Sequence, residues 1–481
     1  MTTLTLGPFN RVEGDLEIQL DVADGLVREA RVNAPLYRGF EQILQGKDPR
    51  DTLVIAPRIC GICSVSQSMA AAYALADATG VAMPPNGALA TNLVLACENL
   101  ADHLTHFYLF FMPDFARPVY ADRSWHAGTE TRFRALTGSA AGEVLPARAH
   151  FMHLMGLLAG KWPHSLSLQP GGTAKPVQAQ ERIRLLAILG AFRRFLERET
   201  FGDSLESLAA LDSARALDAW AARDPGQGDL RRFLLIADDL GLARLGRATD
   251  CFMSYGAYPS GGTRLFRSGL WADKRPQPLD LAAIAEDVSH SWMVRGGPLH
   301  PADGVTIPDA EKADAYTWCK APRLAGAVIE VGALARQLID GHPLIRDLVA
   351  ESGGNVRNRV IARLLELARV LMAMEDWVKA IAPGEPFCEQ IAIPDEVSGT
   401  GLVEAARGSL GHWLAIRRGR ILNYQIIAPT TWNFSPRDAA GVPGALEQAL
   451  VGAEVRPGET TPISVQHIVR SFDPCMVCTV H

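Results

Sequence analysis

The sequence predicts a mainly α fold with smaller β-sheet elements near both termini, an α+β arrangement, on three observations. Apolar residues at helical spacing fill long stretches between residues 64 and 381, whereas apolar–polar alternation is confined to residues 16–32 and to the part past Pro383. Two Cys-x-x-Cys pairs, Cys60 with Cys63 near the start and Cys475 with Cys478 in the closing DPCMVCTVH, bring the two ends together if they share a site. The 481 residues exceed the usual limit for one simple core. With no internal repeat or low-complexity tract, residues 1–481 read as a single elaborated domain whose terminal segments meet at the cysteines.

Taken in order, LEIQLDV and LVREARV flank Asp24-Gly25 and predict a hairpin with one buried face. Glu13, in RVEG, precedes it, and RGFE with Glu41 leads into a helical turn toward Leu44. After RICGIC, an Ala-rich helix capped by Ser64 or Ser66 runs to Gly80. That places the first thiol pair at a helix entrance, where unpaired N–H groups favour thiolates. Residues 86–112 predict a helix closed by Pro113, with Asp102, His106 and Phe110 on one face and too few charges for a surface position. PHSLSLQPGGTAKP is a turn-rich connector, and helical patterns follow from Gln178 to Thr200 and over 204–222, 228–242, 323–340 and 356–381. Between 256 and 308 Gly and Pro rise and periodicity fades, which predicts irregular structure. LGHWLAI and RILNYQII form two strands around Arg418-Gly419.

Composition narrows the function classes. A net charge of −6 and the lack of basic blocks give no footprint for nucleic acid or anionic membrane. No uncharged apolar run reaches the roughly 18 residues of a membrane span. The N-terminus lacks a basic flank followed by an apolar core, so the expected location is cytoplasmic. Eight cysteines in so long a chain are not a secreted disulfide framework, and two Cys-x-x-Cys pairs point to metal or redox chemistry. Cys97, Cys251, Cys319 and Cys388 stand alone and read as small buried hydrophobes. Four thiolates suit a structural zinc ion or a transition-metal centre. Zinc normally staples a small local module, so the long intervening chain favours the second, with the first still open.

RVEG, RGFE, RICGIC, DHLTHFY, PHSLSLQPGG, ARGSLGHW, NYQIIAPTTWN and DPCMVCTVH, in that order along the chain, together resemble the large subunit of [NiFe] hydrogenases. The resemblance implies that dihydrogen is cleaved heterolytically. Cys60 and Cys475 would bind nickel terminally, while Cys63 and Cys478 bridge it to an iron carrying carbonyl and cyanide ligands. It makes Glu13 the proton relay beside Cys475, and Arg407 an arginine over the metals with Asp102 and Asp473 as carboxylate neighbours. Ala428, Pro429 and Thr430 match the segment that cradles the iron diatomics. His481, Glu41 and the Ile426 carbonyl match ligands of a magnesium or similar divalent ion. The four metal-motif cysteines leave no further cluster motif, so electrons would leave through an iron–sulfur small subunit.

Three positions depart from the common pattern: Gln67 stands where many relatives carry histidine, Asp15 where histidine is common after RxEG, and Ala406 where proline is common before the arginine. Gln67 hydrogen-bonds but does not titrate. Gln67, Ile62 and Phe110, with His106 alongside, resemble the regulatory, hydrogen-sensing branch, in which bulky residues at the positions of Ile62 and Phe110 narrow the gas route. In that branch the pair of subunits binds a histidine kinase and turnover is slow. Catalytic relatives are made with an extension beyond the final histidine, so an end at His481 is expected to be either gene-encoded, as in sensors, or processed. An energy-conserving uptake hydrogenase is the alternative, and a structural four-cysteine metal protein the non-enzymatic one. Retention of all four cysteines counts against a relative that has lost its metals.

Overall fold

The computed structural model describes residues 2–479. Thr2–Leu6, Glu17–Ala23 and Leu26–Asn33 form an antiparallel sheet in that order, with Leu4 opposite Leu20 and Leu20 opposite Ala30. The alternation buries Ile18, Leu20, Val27 and Val32 on one face. Near the other end, Val397–Ala405, Gly408–Arg417 and Arg420–Ile427 make a second antiparallel meander. The Ser64–Thr79 helix lies directly on its first strand. A Cβ at Gly399 would come 2.1 Å from the Ala74 carbonyl oxygen, and one at Gly401 1.9 Å from that of Ala70, so only glycine permits the approach.

Helices Pro85–Thr105 and Val356–Ala380 pack together through the interior, and most residues of both are buried. The first helix does not continue to Met112. His106–Phe111 forms a π-helical turn and Met112–Ala116 a 3₁₀ turn. This interrupts the predicted shared face: Asp102 and His106 are buried, whereas Phe110 is half-buried and its carbonyl accepts from Arg11 Nη1 at 3.2 Å. A second π turn, Leu196–Phe201, ends the helix Ala179–Phe195.

Three other expectations differ from the structure. Residues 323–340 are not one helix: Ala321–Leu324 is a strand paired with Ile284–Asp287, and helix begins only at Ala333, because Ala325, Gly326 and Gly332 take positive φ. Residues 204–222 hold two helices, Leu205–Ala209 and Ala214–Arg223, the second started by the Ser213 side chain accepting from the Ala216 amide. The stretch expected to be irregular contains short ladders, among them Ala257–Ser260 with Thr263–Phe266 and Gly269–Ala272 with Arg275–Gln277, each too brief to show a period. Among the described residues no helix is long and apolar enough to cross a membrane.

Several charges inside the core are paired. Arg336, buried between two helices and the second sheet, donates to Glu366 Oε1 and Oε2 at 2.8 and 3.1 Å and to Glu404 Oε2 at 2.9 Å. It also donates to the carbonyls of Ala405 and Ala406, at 2.8 and 3.1 Å, which fixes the strand connection just before Arg407. Despite opposing desolvation, Arg336 and His103 hold Glu366 down at about 2. Arg336→Met strands two buried carboxylates and is expected to cost about 3–5 kcal/mol in denaturant unfolding. Because the folded value of Glu366 lies below its ordinary 4.5, its contribution is complete above the ordinary value and is lost as pH falls toward about 2. Stability should therefore fall more steeply over that acid interval in the wild type than in Glu366→Gln, as followed by unfolding midpoints.

Candidate metal centre

The last cysteine motif is delivered to the first by backbone pairing. Glu13 forms an isolated parallel bridge with Cys475: its amide donates to the Pro474 carbonyl at 3.3 Å and its carbonyl accepts from the Met476 amide at 2.7 Å. Gly14 follows at φ +78°, where an added Cβ would meet Val477 Cγ1 at 2.9 Å, so the glycine of RVEG is required by this contact. Arg38, in RGFE, donates to the Ile59 carbonyl beside Cys60 and to the Val477 carbonyl between the last two cysteines, the latter at 2.7 Å. Thr430 Oγ1 accepts from the Cys475 amide at 3.1 Å.

These contacts bring four free thiols together. Cys60 Sγ lies 3.4 Å from Cys475 Sγ, Cys63 Sγ 3.1 Å from Cys478 Sγ, and Cys475 Sγ 3.2 Å from Cys478 Sγ; all four sulfurs fall within 4.8 Å of one another. The spacings are too long for disulfides, whose S–S bond is about 2.05 Å. Hydrogen bonds from Cys475 and the other thiols hold Cys60 well below the usual thiol range. Hydrogen bonding to Cys475 and Cys478 together with burial pushes Cys63 up, and burial above all pushes Cys475 up. Four buried negative charges this close would repel one another. A soft transition-metal cation removes that obstacle, and an all-sulfur donor set suits nickel and iron or zinc. Among the described residues this is the one grouping of three or more Cys, His, Asp or Glu close enough to hold an ion.

Beside the sulfurs lies a small cavity of about 10 Å³, walled by Ile62, Cys63, Gln67, Asp102, Arg407 and Thr430 among others. It has room for about one water-sized molecule. Arg407 Nη2 is 3.1 Å from both Asp102 Oδ1 and Asp473 Oδ1, and its Nε donates to the Asp473 carbonyl at 2.9 Å. Asp473 takes the left-handed conformation, φ 57°, that ends the Ile463–Phe472 helix and turns the chain into the last motif. Burial pushes Asp102 up to about 8, with Arg407 only partly opposing it; against its own burial, Asp473 is held at about 2 by Arg407. Burial thus favours a proton on Asp102, whereas Arg407 favours the anion of Asp473. Burial and the negative charge on Cys60 raise Glu13 above the usual carboxylate range, so it gains affinity for a proton beside the cluster.

The other sequence candidates are placed as follows. Ala428 and Pro429 are buried at the start of the Pro429–Asn433 helix, with Pro429 on the cavity wall. His106 donates from Nε2 to the Arg470 carbonyl at 2.6 Å, and burial lowers it to about 3, so it stays neutral. Ile62 lines the cavity, and Phe110 is outside the wall. Glu41 is buried: Oε1 accepts from the Ile426 amide at 2.8 Å, and Oε2 bonds the Thr306 hydroxyl and lies 3.3 Å from Lys320 Nζ. Lys320 also reaches Glu286 Oε2 at 3.2 Å and Gln425 Oε1 at 2.9 Å. Glu41, Glu286 and Gln425 thus gather oxygen acceptors around the Lys320 ammonium. His481 lies outside the described residues.

The reasoning from spacing missed Glu98. Cys63 occupies the N-cap of the Ser64–Thr79 helix, but neither Ser64 nor Ser66 caps it. Glu98, from the neighbouring helix, accepts from the Val65 amide at 2.8 Å, the Ser66 amide at 2.9 Å, the Ser66 hydroxyl at 3.0 Å and the Trp162 indole at 3.0 Å. The donors expected to serve the thiolates are thus spent on a carboxylate. Burial pushes Glu98 up to about 7, while four donors and the helix start favour its anion. A buried Glu on the facing helix was the available signal. Glu98→Ala is expected to lower stability by about 1–3 kcal/mol for each donor left unpaired. Because the cap abuts Cys63, bound-metal content after gel filtration should fall with it, as elemental analysis would record.

The comparisons agree with this geometry. A family model described as nickel-dependent hydrogenase matches residues 38–137 and 142–481. The periplasmic [NiFeSe] hydrogenase large subunit of Desulfomicrobium baculatum is 30% identical, with 99% of this chain and 94% of that protein covered. The hydrogenase-2 large chain of Escherichia coli (strain K12) is 27% identical, with 99% and 97% covered. The solved reduced-state Ni-Fe-Se hydrogenase from D. vulgaris Hildenborough superposes with a TM-score of 0.85 at 30% identity, covering 100% of both chains.

Proposed function

Because the chain belongs to the nickel-dependent hydrogenase family, we propose that it is the large subunit of a regulatory [NiFe] hydrogenase, binding and heterolytically cleaving dihydrogen to report its presence. The buried four-sulfur cluster opening on a small cavity carries the hydrogenase part of this reading. Cys60 and Cys475 would hold nickel, and Cys63 and Cys478 would serve both nickel and an iron bearing carbonyl and cyanide. Such a centre supplies a soft, redox-active Lewis acid at which dihydrogen becomes acidic. The chain's own groups supply the rest. Glu13, raised in proton affinity beside Cys60 and Cys475, receives the proton on its carboxylate and passes it outward. Arg407, held by Asp102 and Asp473, presents a fixed positive charge on the cavity wall. Thr430 holds the Cys475 backbone and, with Ala428 and Pro429, forms the bed for the iron side. Glu41, the Ile426 carbonyl and His481 would take a magnesium or similar ion near the chain end.

We read the 481 residues as one elaborated large-subunit domain. Its relatives are named large subunits or chains, which supports an iron–sulfur small subunit as the electron outlet. A cytoplasmic location and a histidine kinase as next partner complete the sensor reading. Gln67 carries it: the position borders the thiols yet holds a side chain that bonds without titrating. The likeness to proteins named periplasmic and uptake hydrogenase large subunits favours the second reading, an uptake hydrogenase.

Slow hydrogen oxidation that persists under dioxygen, with capture of a histidine kinase by the purified heterodimer, is the expected outcome; fast turnover coupled to quinone would establish the uptake reading instead. Ile62 borders the cavity, so Ile62→Val, alone or with Phe110→Leu, should accelerate inactivation by dioxygen. Unchanged tolerance in the double variant would remove the gas-filter role from both residues.

A further inference from the structure

Behind the cavity wall, Tyr424, His412 and Gln67 form a line of hydrogen bonds not used by the proton path above. Tyr424 Oη lies 2.7 Å from His412 Nδ1, and His412 Nε2 lies 2.9 Å from Gln67 Oε1. All three residues are buried, and Gln67 lines the cavity shared with Cys63, Cys475 and Cys478. Gln67 is also one helical turn beyond Cys63, its amide donating to the Cys63 carbonyl at 3.2 Å.

Two proton orders connect these atoms. In the first, the phenol donates to Nδ1, the Nε2–H group donates to Gln67 Oε1, and the Gln67 NH₂ is left for the cavity. In the second, Nδ1–H donates to the tyrosine, the Gln67 amide is reversed to donate into Nε2, and its carbonyl oxygen faces the cavity. The second order leaves the phenolic proton without an acceptor, because His412 Nδ1 is the one hydrogen-bond partner of Tyr424 Oη among the described residues. Tyr424 is fully buried, and a buried hydroxyl donor without a partner is costly. The first order satisfies every group.

We infer that Tyr424 and His412 are positioning residues that lock the Gln67 amide with its NH₂ toward the thiol-lined cavity, which therefore carries a fixed, neutral hydrogen-bond donor and never an acceptor. A donor there withdraws electron density from whatever electron-rich atom a loaded centre presents. That consequence rests on the hydrogenase reading, whereas the proton order does not. It also gives Gln67 a role that follows from its fixed direction rather than from its polarity alone: a freely rotating amide would average donor and acceptor.

Neutron diffraction on deuterated crystals of the assembled protein tests the proton order directly. Deuterium on His412 Nε2 and on Tyr424 Oη, with the Gln67 nitrogen facing the cavity, is the expected result; deuterium on His412 Nδ1, alone or together with Nε2, would overturn the inference. The consequence is read in the infrared bands of the iron-bound diatomics. Tyr424→Phe releases the ring and should move the bands in the same direction as Gln67→Leu, which removes the donor. Wild-type bands in Tyr424→Phe beside shifted bands in Gln67→Leu would show that the dyad sets nothing. Absence of these bands in every form would count against the metal assignment and leave the neutron result standing.

Discussion

Four sulfur atoms within 4.8 Å of one another in a buried site are held there against their own electrostatics. Folding the chain around them costs conformational entropy over nearly its whole length, and ionising them costs repulsion until a cation arrives. The polypeptide offsets the first cost with directed backbone contacts. Glu13 pairs with Cys475, Arg38 bonds the carbonyls beside Cys60 and between Cys475 and Cys478, and Thr430 takes the Cys475 amide. Glu98 closes the helix entrance behind Cys63. The two cysteine motifs thus rest on strand, helix cap and arginine clamp rather than on one another.

Around this centre the interior carries an unusual number of charges, and their pairing explains why they are tolerated. Arg336 serves Glu366, Glu404 and the carbonyls before Arg407; Arg407 serves Asp102 and Asp473; Arg359 serves Glu330 at 2.8 Å. Each guanidinium meets carboxylates whose desolvation it offsets, and the fork geometry fixes direction as well as charge. The arrangement transmits rigidity inward. Arg336 positions the strand connection, the connection positions Arg407, and Arg407 holds the turn at Asp473 that leads into the last cysteine pair.

Much of this was legible in residue patterns. The first hairpin, the helix ending at Gly80, the helix from Val356 and the strands around Arg418 follow from period and turn chemistry, because in each the local preference and the buried face agree. The π turn at His106–Phe111 was not, since its sequence continues a helical pattern and only tertiary packing selects the wider turn. The strand at Ala321–Leu324 was hidden by apolar spacing that suits a helix equally, and Gly326 and Gly332 decided the matter. At the site, the cysteines and the carboxylates beside Arg407 were identifiable from motifs. Glu98, Lys320 and the Tyr424–His412 line were not, because each acts across elements distant in sequence, where spacing holds no information.

The central claim is that the two Cys-x-x-Cys pairs hold a nickel–iron centre. An infrared spectrum of the purified complex, taken with elemental analysis on the same sample, tests it most directly. Bands of iron-bound carbonyl and cyanide, with nickel and iron present in equal amounts, are the predicted result. No such bands, with stoichiometric zinc in their place, would contradict it and make the four cysteines a structural site.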